Sequence, residues 1–316
     1  MRCNSTMDKK TISVMIPTFN EEENVLAIYE AVRDVLIQDC PNYDYEILII
    51  DNKSTDRTRE LIRSICENDK KVKAIFNCKN FGQFNSPYYG IINTSGDCTI
   101  TMCADFQDPV EMIPQFVKEW EDGYKIVIGK KTTSKENPFI FLLRGIYYKA
   151  LRRMSKINLI EQFTGFGLYD KSFVETLRSL DDPTQFIRGI VAELGPEWKE
   201  LEYTQPKRRA GKTHNNFFTL FDAAMLGFTS YTKVGMRLSF AVGMLTGAIG
   251  MFLFILGIIG YISSSSTATT NMLFATVFLV GAMQFMFLGL LGEYVMSINS
   301  RSMNRPLVVE EERINF

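Results

Sequence analysis

The apolar and polar positions in the front of the chain follow two alternating periods. Short apolar runs rich in Val and Ile predict buried β-strands at 11–17, 45–51, 72–77, 98–105 and 124–130. The segments between them carry apolar residues at helical spacing and predict helices at 21–36, 54–68, 86–94 and 111–123. Strands that alternate with helices in this way are typical of a mostly parallel sheet covered on both faces. The front of the chain is therefore predicted to be an α/β domain.

The last third of the chain has a different pattern. No Asp, Glu, Lys, Arg or His occurs from Leu238 to Gly292. Two apolar stretches, Leu238–Ile262 and Met272–Val295, each approach the ~20 residues that cross ~30 Å of hydrocarbon. The alternative, two buried helices of a soluble protein, is disfavoured by their length and by the lack of a polar face. We therefore expect two transmembrane helices.

The charges around these stretches predict their orientation. Lys233 and Arg237 precede the first stretch, Arg301 and Arg305 follow the second, and the loop between them has neither Lys nor Arg. The positive-inside rule therefore places both flanks in the cytoplasm. Residues 217–228 carry apolar side chains at helical spacing, as in a helix that lies in the headgroup plane. Packing in a protein core is the alternative for that segment.

These patterns divide the chain into five regions. They are an N-terminal tail 1–10, the α/β domain 11–215, a juxtamembrane amphipathic segment 216–236, a two-helix transmembrane hairpin 237–297 and a cytosolic C-terminal tail 298–316. The first residues contain no apolar core and predict no cleaved signal peptide, so the front domain is expected on the cytoplasmic side of a multi-pass protein of the inner membrane. Gly243 and Gly247 would allow helices to approach closely within the hairpin or between subunits, which leaves a homo-oligomer open. The ordinary glycine content of a membrane helix is the alternative.

Composition removes several classes of function. The formal net charge of −1 over 316 residues gives no general attraction to nucleic acid. The six cysteines form no CxxC pair, and the single histidine cannot complete a Cys/His zinc site, so reduced structural thiols are expected. No strand is followed by GxGxxG and no GxxxxGK[ST] occurs, which disfavours dinucleotide-binding and P-loop proteins.

Carboxylates and amides follow the predicted strands, and ligands of parallel sheets bind at these carboxyl ends. Asp105 and Gln107 offer the hard oxygen ligands that suit Mg²⁺ or Mn²⁺, completed by water and substrate phosphates. In an extended chain the two side chains point the same way and Phe106 points to the other side. The alternative is that 105–108 caps a helix that begins near Glu111.

Five ordered motifs carry a resemblance to a known family. They are SVMIPTFNEEENV, EILIIDNKSTDRT, NFGQFNSPYYG, ADFQDPVE and RRAGKTHN, followed by the two apolar spans. In this order they resemble the family 2 glycosyltransferases that charge a polyprenyl phosphate, such as bactoprenol glucosyltransferases and dolichol-phosphate mannose synthases. The resemblance implies a GT-A (Rossmann-like) domain, a nucleotide-diphosphate sugar, a divalent cation and inverting transfer to a lipid phosphate at the bilayer.

The resemblance also implies roles for individual residues. Pro17, Phe19 and Glu21 would surround the nucleotide base and ribose, with Asp51 alongside. Asp105 and Gln107 would hold Mg²⁺ or Mn²⁺ and serve catalysis. Cys103 replaces the first aspartate of the usual Asp-x-Asp-x-Gln segment, and Asn52 and Lys53 replace the second Asp and the Gly of the frequent DDGS.

Basic residues are candidates for binding the two phosphorylated substrates. They are Lys131, Arg144, Arg209, Lys212 and His214. Ordinary solvated charge is the interpretation for Lys130, Lys207 and Arg208. Asp108 is a catalytic candidate that would orient the acceptor or take a proton, with a helix-start role as its alternative.

Together these features predict transfer of one sugar from UDP-glucose or a similar donor to undecaprenyl or another polyprenyl phosphate, for modification of a cell-surface glycan. A processive polysaccharide synthase is one alternative, although Gly189 stands where its Gln-x-x-Arg-Trp motif needs tryptophan. A non-catalytic membrane protein that binds nucleotide sugars or assists assembly is the other, because Cys103 replaces an acidic residue.

Overall fold

The computed structural model describes residues 9–133, 160, 162–180, 186–210, 266–302 and 305–316, with scattered helical positions between 242 and 259. The chain separates into two compact units. One contains the sheet, including its C-terminal strand, and the other contains the long helix 266–302.

The sheet unit has eight described strands. They are β1 Thr11–Thr18, β2 Asp44–Asp51, β3 Val72–Asn77, β4 Cys98–Thr101, β5 Ile126–Thr133, β6 Phe163–Asp170, β7 Trp198–Thr204 and β8 Glu310–Ile314. Its described helices are α1 Val25–Asp39, α2 Thr58–Asn68, α3 Gly82–Ile92, α4 Ile113–Glu121, α5 Lys171–Arg178 and α6 Ile187–Leu194, with a 3-10 turn at Val110–Met112.

The strands form one sheet in the order β7-β5-β6-β4-β1-β2-β3-β8. Strand β1 pairs in parallel with both β2 and β4, and β2 pairs in parallel with β3. Strand β6 is antiparallel to β4 and β5, and β8 is antiparallel to β3. The predicted mostly parallel α/β sheet is thus confirmed, with β6 and β8 running against the other strands.

Alternating residues of the central strands supply two cores, one on each face of the sheet. In β2, Ile47 and Ile49 face the core that α1, α2 and α4 cover, whereas Leu48 and Ile50 face the core under α3, α5 and α6. All four side chains are completely buried. Burial on both faces explains the uninterrupted apolar run of this strand.

Two predicted boundaries near the carboxyl ends of strands are wrong. Strand β4 ends at Thr101 instead of reaching residue 105, and a turn follows it. Helix α1 begins at Val25 instead of residue 21, because Asn24 and Val25 first donate backbone hydrogen bonds to the Glu21 carbonyl at 2.9 Å. Both changes lengthen the loops that form the candidate site.

The C-terminal segment contributes an edge strand that the sequence pattern did not indicate. Strand β8 pairs with β3, and ion pairs fix its acidic side chains to cations of the β2–α2 region. Residues 305–316 of the predicted tail therefore belong to the sheet unit.

The second unit contains helix α7, Ser266–Ser302. Within the described residues it is the one helix with a stretch apolar and long enough for a bilayer, Leu279–Met296, whose mean hydropathy is 1.5. Its exposed large side chains include Val277, Met286 and Leu288. Most of the other predicted span, Leu238–Ile262, and the juxtamembrane segment 216–236 lie outside the described residues. The two-helix hairpin therefore stays a prediction.

Candidate active site

The strand order determines where a ligand crevice is expected. From β1 the chain continues to β2 on one side, and β4 lies on the other side, so the order of connections reverses between β1 and β4. Ligands of open α/β sheets bind outside the carboxyl ends of the strands at such a switch point. The residues after β1 and β4 are therefore the first candidates.

Arg208 joins the two sides of this switch point. Its Nη2 pairs with Oε1 of Glu21, which follows β1, and its Nη1 lies 3.6 Å from Oδ2 of Asp105, which follows β4. The Arg208 side chain is 22% exposed, compared with 11% for both carboxylates. The interpretation of Arg208 as ordinary solvated charge is therefore wrong, because this guanidinium is held between two partly buried anions.

Arg209 reaches the same turn from its other side. Its backbone N–H donates to the Asp105 carbonyl at 3.2 Å. Its guanidinium carbon lies 5.0 Å from the centre of the Phe106 ring, a cation–π arrangement. Phe106 adopts a left-handed backbone conformation, with φ of 60°. The segment after β7 therefore places two adjacent arginines against the turn after β4.

The turn after β4 does not have the extended backbone expected for Asp105 and Gln107. Asp105 Oδ1 instead accepts the backbone N–H of Gln107 at 3.1 Å, which closes a local turn. The prediction that the side chains of Asp105 and Gln107 point the same way assumed an extended backbone, which this segment does not have. The helix-cap alternative fails as well, because the 3-10 turn that follows begins after Pro109 without a side-chain cap.

The donor set around Asp105 suits only one kind of metal site. Within the described ranges, no three His, Cys, Asp or Glu side chains converge on one point. Asp105 is 8% exposed when its backbone and side chain are counted together, and its Oδ2 lies beyond hydrogen-bond distance of Arg208. One carboxylate, together with the half-exposed Gln107 amide, fits a Mg²⁺ or Mn²⁺ that takes its other ligands from water and a diphosphate.

Asp108 occupies a separate, more buried position. It is 3% exposed, and its carboxylate accepts the Cys103 backbone N–H at 2.9 Å and the Tyr203 hydroxyl at 3.2 Å. Burial is the largest influence on this carboxyl, and the charge of Asp105 adds to it, so the pKa of Asp108 rises to about 6. Tyr203, on β7, is a contact that the sequence analysis did not identify.

Asp51 is the last residue of β2 and is completely buried. Its carboxylate accepts the Ser54 N–H at 3.1 Å and the Ser54 hydroxyl, and Arg59 Nε lies 3.2 Å from Oδ1. Burial outweighs these partners and raises the pKa of Asp51. Ser54 Oγ also accepts the backbone N–H of Asn20 at 2.9 Å, which ties the end of β2 to the loop after β1.

The two residues after Asp51 are structural. The Asn52 amide donates to Asn80 Oδ1 at 3.0 Å and to the Gly82 carbonyl at 3.1 Å. Its oxygen accepts from Asn77 Nδ2 at 3.1 Å and from the Phe81 N–H at 2.8 Å.

Lys53 has φ of 67°, the left-handed conformation that glycine adopts most easily. A lysine therefore holds this conformation at the position where the family's frequent DDGS motif has glycine.

The remaining predicted site residues differ in what the structure shows of them. Pro17 lies opposite Ile50 near the end of β1, and Phe19 is half-buried just beyond it. Lys131 is buried on β5, where its register partner is Tyr203 of β7. Three predicted cations lie outside the described residues: Arg144, Lys212 and His214.

Comparisons with known proteins agree with this architecture. The profile of the family "Glycosyl transferase family 2" matches residues 13–178. The bactoprenol glucosyl transferase of Shigella phage SfV is 28% identical over 305 residues, which are 96% of this chain and 99% of that protein. The putative glycosyltransferase CsbB of Bacillus subtilis is 29% identical over 308 residues, 95% of this chain and 91% of the relative.

A solved structure shows the same fold. The mannosyl-3-phosphoglycerate synthase of Rubrobacter xylanophilus superposes with a TM-score of 0.50 and 14% identity, over 68% of this chain and 71% of that one. The strand order, the polar groups at the strand ends and the matched profile lead to one conclusion: the chain belongs to glycosyl transferase family 2 and is a glycosyltransferase with a GT-A sheet domain.

Proposed function

We propose that the protein transfers a single sugar, with inversion, from a nucleotide-diphosphate sugar such as UDP-glucose to polyprenyl phosphate at the cytoplasmic face of the membrane. The observation that carries this proposal is the convergence of Glu21, Asp51, Asp105 and Arg208 at the carboxyl ends of β1, β2 and β4. Relatives named bactoprenol glucosyl transferase, matched along almost their whole length, support a polyprenyl phosphate such as undecaprenyl phosphate as the acceptor, and modification of a cell-surface glycan is the role that we propose for the product.

The nucleoside would bind at the ends of β1 and β2. Glu21 offers carboxylate oxygens that would accept hydrogen bonds from base or ribose groups, and the completely buried Asp51 lies alongside and holds the end of β2 through Ser54. Pro17 and Phe19 lie on the same strand end and offer partly exposed apolar surface for a planar base. The buried network through Ser54 holds this end of the sheet rigid before the donor arrives.

The donor diphosphate would lie by the turn after β4. Asp105 and Gln107 would hold Mg²⁺ or Mn²⁺ there, and the ion would neutralise the negative charge of the departing diphosphate. Arg208 and Arg209 lie against the same turn, and arginine forks bind phosphate oxygens bidentately. We include Arg208 in the donor site because its present partners are carboxylates with which a diphosphate would compete.

The acceptor phosphate needs orientation more than activation. A phosphate monoester already carries at least one negative charge at pH 7, so its oxygen is a competent nucleophile once charge repulsion is shielded. Lys131, Arg144, Lys212 and His214 are the proposed shielding cations. Asp108, with a pKa of about 6, can orient the acceptor or take the proton of a singly ionised phosphate.

The membrane regions would bring the enzyme to its lipid substrate. The apolar stretch of α7, together with the predicted span Leu238–Ile262, supports a two-helix hairpin at 237–297. The amphipathic segment 216–236 would hold the sheet domain 11–215 near the headgroups. The protein would then be a multi-pass protein of the inner membrane with its active site in the cytoplasm.

Sugar transfer by the purified full-length protein tests this proposal. The protein is incubated with polyprenyl phosphate and a panel of UDP- and GDP-sugars, and lipid products are identified by mass spectrometry. We expect one donor to give a single-sugar lipid, and the D105A variant to give at most about a hundredth of that product. A long polymer would indicate a processive synthase. Absence of product with every donor would favour the non-catalytic alternative.

A further inference from the structure

We infer that β8 is a functional part of the nucleotide site, in which Glu311 is a positioning residue that holds Arg59 against Asp51. This inference rests on the proposed function, because it assigns a role in binding the donor nucleotide. Strand β8 follows the apolar helix α7 in sequence, and none of the five family motifs includes it.

A continuous chain of charges connects β8 to the buried carboxylate. Glu311 Oε2 accepts from Lys53 Nζ at 2.7 Å and from Arg59 Nη2 at 3.0 Å. The other side of the same guanidinium, Nε, lies 3.2 Å from Asp51 Oδ1. Arg59 is therefore shared between a carboxylate on β8 and the carboxylate at the end of β2.

The geometry makes Glu311 important for the position of Arg59. Arg59 Nε is buried and has no hydrogen bond among the described residues, although Asp51 Oδ1 is close enough for an ion pair. The guanidinium is thus oriented by its hydrogen bond to Glu311 and by the Phe76 ring, whose centre is 5.0 Å away. Without Glu311, the arginine loses its one charge-assisted hydrogen bond in this region, and only the Asp51 ion pair and the Phe76 contact would hold its guanidinium.

Loss of the Arg59 orientation would weaken nucleotide binding through its effect on Asp51 and Lys53. Asp51 is completely buried, and the Arg59 guanidinium adds to the Ser54 hydrogen bonds that stabilise its charged form. Lys53 has a left-handed backbone two residues after Asp51, and its ammonium group forms an ion pair with Glu311. Residues that hold a metal-ligating side chain in place typically change metal affinity or activity 10- to 100-fold, and we expect an effect at the lower end of that range here.

The adjacent residue provides a matched control. Glu312 lies on the same strand and is similarly exposed, with 39% for its side chain compared with 44% for Glu311. It binds Arg63 through Nη2 at 2.7 Å and Nε at 3.1 Å, and Arg63 lies 4.6 Å from the centre of the Phe76 ring. No described contact joins this second pair to Asp51. E312Q therefore removes an ion pair from β8 without affecting the Asp51 chain.

The test compares E311Q and E312Q in the full-length protein with UDP and GDP as probes. We expect the nucleotide that the wild type binds to bind E311Q about tenfold more weakly and E312Q within about twofold of the wild type. In sugar transfer, E311Q should raise the donor KM by a similar factor and leave kcat within about twofold, because the end of β2 adjoins the proposed nucleoside site and not the reacting bond.

Three outcomes would overturn the inference. Equal affinities for E311Q and wild type would show that the chain of charges does not reach the site. Equal weakening in E311Q and E312Q would assign the effect to general loss of β8, as would a parallel fall in unfolding temperature. Failure of the wild type to bind either nucleotide would overturn the proposed function as well, which distinguishes the two failures.

Discussion

Arg208 lies between the ends of two strands, with Nη1 3.6 Å from Asp105 Oδ2 and Nη2 paired with Glu21. One cation thereby connects the carboxylates that follow β1 and β4. Such a contact is loose enough to rearrange, since the distance to Asp105 exceeds that of a hydrogen bond. A donor diphosphate entering this crevice would meet a guanidinium already aimed at the switch point of the sheet.

We therefore expect R208Q to lower kcat/KM for the donor by about a hundredfold, because a preorganised cation at the leaving group is lost. The measurement is sugar transfer at varied donor concentration. K207Q is the matched control: it removes the same charge from the adjacent, exposed position and should change activity less than about threefold. Similar activities of R208Q and K207Q would show that Arg208 only links the two strand ends.

Metal dependence is expected to involve Asp105. EDTA should lower transfer by at least about tenfold, and Mg²⁺ or Mn²⁺ should restore it. D105N should lower activity and also raise the metal concentration needed for half-maximal transfer, because one charged ligand is lost. D122N, on the exposed end of α4, should leave both quantities unchanged. A D105N enzyme with the metal requirement of the wild type would exclude this residue as a ligand.

The buried carboxyl of Asp108 should produce a pH-dependent loss of stability. Its pKa of about 6 in the folded protein exceeds the ~3.9 of an unfolded chain, so between pH ~4 and ~6 the folded state binds more protons. Stability attributable to this group is therefore present below pH ~4 and is lost as the pH rises through about 6.

The D108N variant isolates that contribution. Its amide keeps an oxygen for the Cys103 N–H and carries no ionisable group. The unfolding temperature of D108N minus that of wild type should rise between pH 4 and pH 7, corresponding to about 2–3 kcal/mol. Other titrating groups are common to both proteins and cancel. A difference that stays constant over this range would mean that Asp108 titrates normally.

The left-handed backbone of Lys53 gives a prediction about stability alone. K53A and K53G both lose the ion pair with Glu311, so comparison of the two isolates the backbone. With φ of 67°, alanine should be strained by about 1 kcal/mol relative to glycine. K53G should therefore unfold about 2–4 °C above K53A in a thermal scan. Equal unfolding temperatures would show that this conformation is not strained.

Much of the sheet was predictable because its signals are local. The apolar run at Ile47–Ile50 and the helical spacing of Val25, Ile28 and Val32 depend only on neighbouring residues and on burial. Strand ends were less predictable: Thr101 ends β4 because Cys103–Asp108 closes a turn, and that turn is stabilised by Tyr203 from a distant strand. The charged strand β8 gave no apolar pattern because ion pairs and an edge position stabilise it.

By itself, the sequence determined the alternation of strands and helices, the apolar C-terminal stretch and the carboxylates and amides at the strand ends, since each depends on short-range periodicity or on residue type. The tertiary structure decided which cation meets which anion. Arg208 contacts Glu21 and Asp105, and Glu311 contacts Arg59. These contacts form because the strand order β4-β1-β2-β3-β8 brings distant segments together at the carboxyl ends of the parallel strands. Contacts of this kind follow from strand order and register, which residue spacing along the chain does not encode.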